Sequence, residues 1–315
     1  MKPEVFQSLE ARHIGALTPN TLSAISSDKI KAIPPKSFRG LTPQHIDALP
    51  PQWLKTINGK QWKQIPVQSV SAFNKNDIKN LPKQTIRSIT TKQIKALKPQ
   101  TFKGFKNNQI AALPSKVIGV LSVRQVRQIK PNLIAKLSGK QISALEPSTL
   151  ANFSNRQFRN IAPQSISNLK PQHIRALSSK LLRTMSGNQV NRLNKQAIQA
   201  LTPKQIKAIP LQALQAMTFK QLAQLNQKQI NILPRQVING LNNKQLRGLG
   251  LTGSNLAQAR PSTSNKRDGS RSMALERRVI DAQDFADPIV LDSKPEMEPE
   301  SITFINPVIV EQDGW

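Results

Sequence analysis

Few side chains in this sequence are of the kinds that hold metals or move protons, and their spacing argues against both. Three histidines, His13, His45 and His173, are spread through the first 249 residues, and the chain contains no cysteine. The same stretch holds six carboxylates, Glu4, Glu10, Asp28, Asp47, Asp77 and Glu146. None stands at a spacing from a histidine that would make a general base, and no phosphate-cradling glycine loop or nucleophile motif occurs. The expectation is a protein without catalytic residues, metal or cofactor. What remains is charge. The 315 residues carry 46 Lys and Arg against 17 Asp and Glu, a formal balance of +29. Such an excess attracts polyanions but dictates no fold.

The elements that must position these charges come from an internal repeat. Segments such as TPKQIKAI (202–209), PLQALQAM (210–217) and TFKQLAQL (218–225) align without gaps, and the register runs from Lys2 to Leu249 as 31 octads. Position 5 is large and apolar in every octad, from Phe6 and Ile14 to Leu246, and so is position 8, from Leu9 and Leu17 to Leu249. Position 7 is mostly small. All 18 prolines of the array fall at position 1 or 2. Proline inside a helix removes a hydrogen bond, whereas at the first helical position its missing N–H costs nothing, so the array cannot be one long helix. Apolar residues at i and i+3 do not fit the period of a strand. Each octad reads as one short helix, opened by Thr, Ser or Asn as N-cap with Gln at position 4 completing a capping box, as in Thr202–Pro203–Lys204–Gln205. Helices this short are unstable alone, so positions 5 and 8 must be buried against neighbours.

A second period overlies the first. Alternate octads carry a long polar residue at position 4, including the three histidines and most of the glutamines, while those between carry small or apolar ones such as Thr21, Ser37, Ser69, Val117, Leu133 and Ala197. This alternation predicts a 16-residue unit with two short helices per layer, stacked in some 15 layers. It slips once, where the octads at 218 and 226 are both Gln-type, as an approaching C-terminal cap or the loss of one octad would produce. The histidines then read as substitutes for Gln. Trp53 occupies a usually small position and reads as an exposed contact or a local packing variant.

Position 6 carries Lys or Arg in 14 of the 31 octads. Between residues 31 and 103 the density rises, with Lys31, Arg39, Lys55, Lys63, Lys79, Arg87, Lys95 and Lys103 filling eight of ten such positions. Stacked layers would turn these eight into a basic ridge for an extended polyanion: nucleic acid phosphates, an acidic polysaccharide or an anionic surface, including an acidic protein. A solvated face that keeps a long array soluble accounts for the same residues. A base-reading code by the position 4 glutamines competes with their capping role. Stacking on single-stranded bases is disfavoured, because the array's aromatic residues lie at core positions apart from Trp53 and Phe219.

Units such as LTPQHIDAL (41–49), LKPQHIRAL (169–177) and LTPKQIKAI (201–209) resemble the L-T-P-x-Q-I-x-A-L tandem repeats of bacterial proteins, many of them long and secreted or surface-associated. More distantly, residues 2–249 are similar to the short-helix superhelix of mesothelin and stereocilin. The resemblance implies an all-α solenoid and brings no catalytic residues. The opening LTPxQ is also similar to the start of TAL-effector repeats, but the longer unit with its paired base-reading residues is absent.

The sequence therefore predicts an all-α superhelical solenoid over 2–249, a flexible basic linker over 250–275 and an acidic, largely disordered tail over 276–315. Residues 2–249 hold 39 basic and 6 acidic residues, whereas 276–315 hold 3 and 10. The expected function is a monomeric, rod-like scaffold binding a polyanion, with the tail able to fold back and compete. The alternative is a structural or adhesive spacer whose tail serves export or attachment. No apolar run reaches the length of a membrane span. Without a signal peptide the default compartment is the cytoplasm, with secretion by a non-classical route as the alternative.

Overall fold

In a computed structural model, the structure describes residues 3–251, all within one unit. The linker beyond Leu251 and the whole tail lie outside the described residues. Twenty-nine α-helices and two 3-10 helices, each of four to six residues, follow one another from Pro3–Gln7 to Asn243–Gly248. There is one helix per octad, and among the described residues there is no strand.

Each helix starts and stops for reasons visible in its octad. In Pro203–Ala208 the Thr202 hydroxyl accepts from the Gln205 N–H at 3.2 Å, and the Thr202 N–H donates to the Gln205 side-chain oxygen at 2.9 Å. The expected capping box is thus formed. Pro203 occupies the first turn, where no N–H is needed. The position 8 residue ends the helix in extended backbone, Ile209 at φ −71 and ψ 133, and the next octad begins.

Positions 5 and 8 form one continuous core. All these side chains are buried except five, which are partly buried and sit near the two ends of the stack: Leu9, Leu17, Ile25, Ile230 and Ile238. Octads near an end lack neighbours on one side. Full burial of such a side chain contributes about 1.5–3 kcal/mol, which is what holds helices too short to persist alone.

The two-helix layer is not what forms. Every extensively contacting helix pair joins an octad to the third one along: Pro3–Gln7 packs on Ser27–Ala32, and Ser27–Ala32 on Pro51–Thr56. Side chains reach one octad further still, with hydrogen bonds spanning 28 residues at most octads, such as Ser69 Oγ to the Leu41 carbonyl at 2.7 Å. Twenty-eight residues are three and a half octads. The chain is a superhelix with about that many octads per turn, and 31 octads make about nine turns rather than fifteen layers. With three and a half octads per turn, each octad turns the chain by less than the half turn that a two-helix layer requires. The 16-residue alternation is real but has another origin: position 4 residues bond to the fourth octad back, which up to the slip at residue 218 is of their own type.

Small residues at position 7 let successive turns approach. The extremes are Gly40 and Gly104, which close the two 3-10 helices, Pro35–Gly40 and Pro99–Gly104. A Cβ at Gly40 would strike the Ala11 carbonyl, and one at Gly104 the Lys75 carbonyl, each in the turn below.

Candidate polyanion-binding surface

The polar residues inside the stack are structural. Gln61 donates from Nε2 to the Ile30 and Ile33 carbonyls at 3.0 and 3.1 Å, while its Oε1 accepts from the Asn58 N–H at 3.0 Å. The same three-bond staple recurs at Gln93, Gln109, Gln125, Gln157 and Gln205. These glutamines are buried, so no amide of theirs faces a ligand. The base-reading ladder is thereby excluded for them. Gln221 and Gln229, at the slip in the alternation, both make the full staple, and the stack passes through without a break.

Histidine fills the same place. His45 and His173 are buried, with Nδ1 accepting from the Thr42 and Lys170 N–H groups and Nε2 bonding to the Leu17 and Leu145 carbonyls at 2.8 and 2.9 Å. Burial lowers the His173 pKa, against the raising effect of the Leu145 carbonyl. With one nitrogen accepting and the other donating, the ring is held neutral. His13 has no turn beneath it and stays exposed. Among the described residues no group of three potential metal ligands occurs. Asp77 also stands at a staple position and accepts from the Asn74 N–H at 2.7 Å, but a carboxylate has no proton for the carbonyls below. Burial raises its pKa, the Asn74 bond opposes this, and the nearby Asp47 charge adds to it.

Trp53 is the packing variant and not an exposed contact. It is 1% exposed, lies 6.2 Å from Phe38, and its indole N–H donates to the Ile25 carbonyl at 3.1 Å, as the small hydroxyl residues do elsewhere. Phe219 is half-buried with the Lys244 ammonium 5.1 Å above its ring, an arrangement worth little when solvated.

All eight position 6 cations singled out from the sequence are exposed. They do not make one ridge. Lys31, Lys55, Lys79 and Lys103 belong to helices that pack in succession, every third octad, and form one column. Arg39, Lys63 and Arg87 form a second column beside it, in which Arg39 Nε donates to Gln64 Oε1 at 2.7 Å across the turn. The helix of Lys95, Thr91–Ala96, packs instead on Val67–Val70 and belongs to neither column. Superhelical winding separates adjacent octads around the axis, and this is why a single file in sequence is split.

The sequence reading missed position 3. It is exposed throughout the array, one helical turn before position 6 on the same face, and carries Lys or Arg in many octads, from Arg12 and Lys36 to Lys244. Only two ion pairs occur among the described residues, Arg12 with Glu10 at 2.9 Å and Lys31 with Asp28 at 3.2 Å. The other cations of the array have no carboxylate partner there. Surface grooves open where successive turns meet. One, of about 680 Å³, is lined by Arg127, Asn152, Ser154, Arg156, Ser178 and Lys180 among others, with no carboxylate in its wall.

No protein-family model matches the chain, and no curated protein matches it either. No helix among the described residues is long and apolar enough to cross a membrane.

Proposed function

We propose that the array is a non-enzymatic scaffold that binds an extended polyanion along its surface. The observation that carries this reading is the set of exposed, unpaired cations: 39 basic residues stand in residues 2–249, and two ion pairs are all that neutralise them among the described residues. Maintaining so many like charges destabilises a compact state by self-repulsion. A bound polyanion relieves that repulsion and releases its own counterions. The buried glutamines support backbone-directed rather than base-directed binding, since the array's regular amides are consumed by its own carbonyls.

The test is fluorescence anisotropy of the full chain with labelled duplex DNA, single-stranded nucleic acid and a sulfated polysaccharide, titrated at several salt concentrations. Binding through six or more anion contacts weakens about a thousandfold or more between 50 and 200 mM salt. Absence of binding to all three at low salt refutes the proposal and leaves the spacer reading standing.

A further inference from the structure

Some octads are basic at both position 3 and position 6, and these do not fall at random. They are Lys36/Arg39, Lys60/Lys63, Lys92/Lys95, Arg124/Arg127, Arg156/Arg159, Lys180/Arg183 and Lys204/Lys207, with one more, Lys244/Arg247, in the last helix. From Lys36 to Lys204 the six steps are each of 24 or 32 residues, three or four octads, and they average 28. That is the separation at which side-chain hydrogen bonds cross from one turn to the next. Each step is also a direct contact. Arg39 bonds to Gln64 beside Lys63. Gln93, Gln125 and Gln157 each staple their doubly basic helix to the preceding one in the series. Asn155–Arg159 packs on Ser179–Leu182, and that helix on Pro203–Ala208. None of the seven octads contains a carboxylate.

From this we infer that one face of the superhelix is a continuous track for a linear acidic polysaccharide, focused on the groove of Arg127, Arg156 and Lys180. This rests on the polyanion reading and specifies its site and ligand. The groove unites three consecutive members of the series, and Arg127 is held there by an Nη2 bond to Asn152 Oδ1 at 3.0 Å. The hydroxyls of Ser154 and Ser178 and the amides of Asn152 and Asn155 in its wall suit the hydroxyls of a sugar chain. Cation pairs recur once per turn, at the helix spacing of about 8–10 Å. A row that steps from turn to turn along the stack with that repeat suits a flexible linear chain; the phosphates of a duplex wind away from it. Single-stranded nucleic acid needs aromatic faces to stack its bases, and the array's tryptophans and all of its phenylalanines but Phe219 are buried.

The test compares two full-length triple variants of equal charge change. The first, Arg127→Gln, Arg156→Gln and Lys180→Gln, empties the groove of cations. The second, Lys140→Gln, Arg192→Gln and Lys195→Gln, removes exposed cations that lie outside the doubly basic octads and outside the groove. With a labelled heparin octasaccharide as probe, the groove variant is expected to bind about tenfold more weakly than the parent, from three lost contacts at partly solvated sites. Its salt slope should fall by about 2–3, and the second variant should change affinity less than about threefold. Far-UV circular dichroism of both variants establishes that the stack is intact. Equal losses from both variants overturn the track while leaving general polyanion binding in place. Tighter binding of an oligothymidylate than of the octasaccharide overturns the choice of ligand, and no binding of any polyanion by the parent chain overturns the underlying function.

Discussion

Replacing Gln157 by Met tests the staple that sets the superhelical turn. Gln157 is 1% exposed, and its amide donates to the Val126 and Ile129 carbonyls at 2.8 and 2.9 Å while accepting from the Ser154 N–H at 3.0 Å. Methionine nearly conserves the volume and removes all three bonds. Water can replace the side-chain oxygen at Ser154, which is exposed. The Val126 carbonyl keeps the Ile129 N–H, but the Ile129 carbonyl has no other partner among the described residues. Losing one bond of a carbonyl that retains another costs about 0.5–1.5 kcal/mol, and stranding a buried carbonyl about 1–3, so a loss of about 2–4 kcal/mol is expected. In an array of this size that lowers Tm by roughly 5–12 °C. The assay is urea and thermal denaturation followed by far-UV circular dichroism, with Arg159→Gln as a control on the same helix. The exposed Arg159 variant should stay within about 0.5 kcal/mol of the parent. If Gln157→Met lies within the same margin, the staples do not hold the turns together and the physical account of the pitch is wrong.

Asp77→Gln should stabilise the chain, because it removes a half-buried carboxylate beside Asp47 and supplies donors 31 and 28 residues from the Ile46 and Leu49 carbonyls, as Gln61 does for its own; a Tm rise of about 2–6 °C in calorimetry is expected, and a fall would contradict the staple geometry. Burial holds His173 below its ordinary value of 6.5, so the unfolded chain takes up its proton first; the stability this ring contributes is fully present above pH 6.5 and is lost as the pH falls through the lowered folded value. Stability measured from pH 7.5 to 5 should therefore decline less in His173→Gln than in the parent, and parallel curves would rule out the neutral ring. Gly104→Ala should cost about 1–3 kcal/mol by forcing the Lys75 backbone aside, whereas Lys103→Ala next to it, fully solvated, should cost little; equal losses in denaturation would refute close approach at position 7.

Much of this protein is legible in its sequence because the determinants are local. The placement of Pro203 and Thr202 fixes where a helix begins, Gln205 closes its cap, and Ile206 and Ile209 must be buried whatever lies opposite. Composition alone gives the surplus of cations. The roles of His45 and His173 as glutamine substitutes were readable in the same way, since they share a position in the repeat.

Neighbourhood across turns was not legible. The 16-residue alternation suggested two helices per layer, yet the same alternation arises when position 4 residues reach the fourth octad back, and a one-dimensional pattern does not distinguish the two. The rotation from each octad to the next, summed over three and a half octads, decides which surfaces meet. That sum placed Arg39 beside Gln64 and gathered Arg127, Arg156 and Lys180 into one groove, while it parted cations adjacent in sequence into separate columns. The sequence by itself determined the helices, their buried faces and the charge they display; the tertiary structure decided the pitch, and with it which charges stand together, because pitch is a property of packing between residues 25 to 31 apart rather than of any one octad.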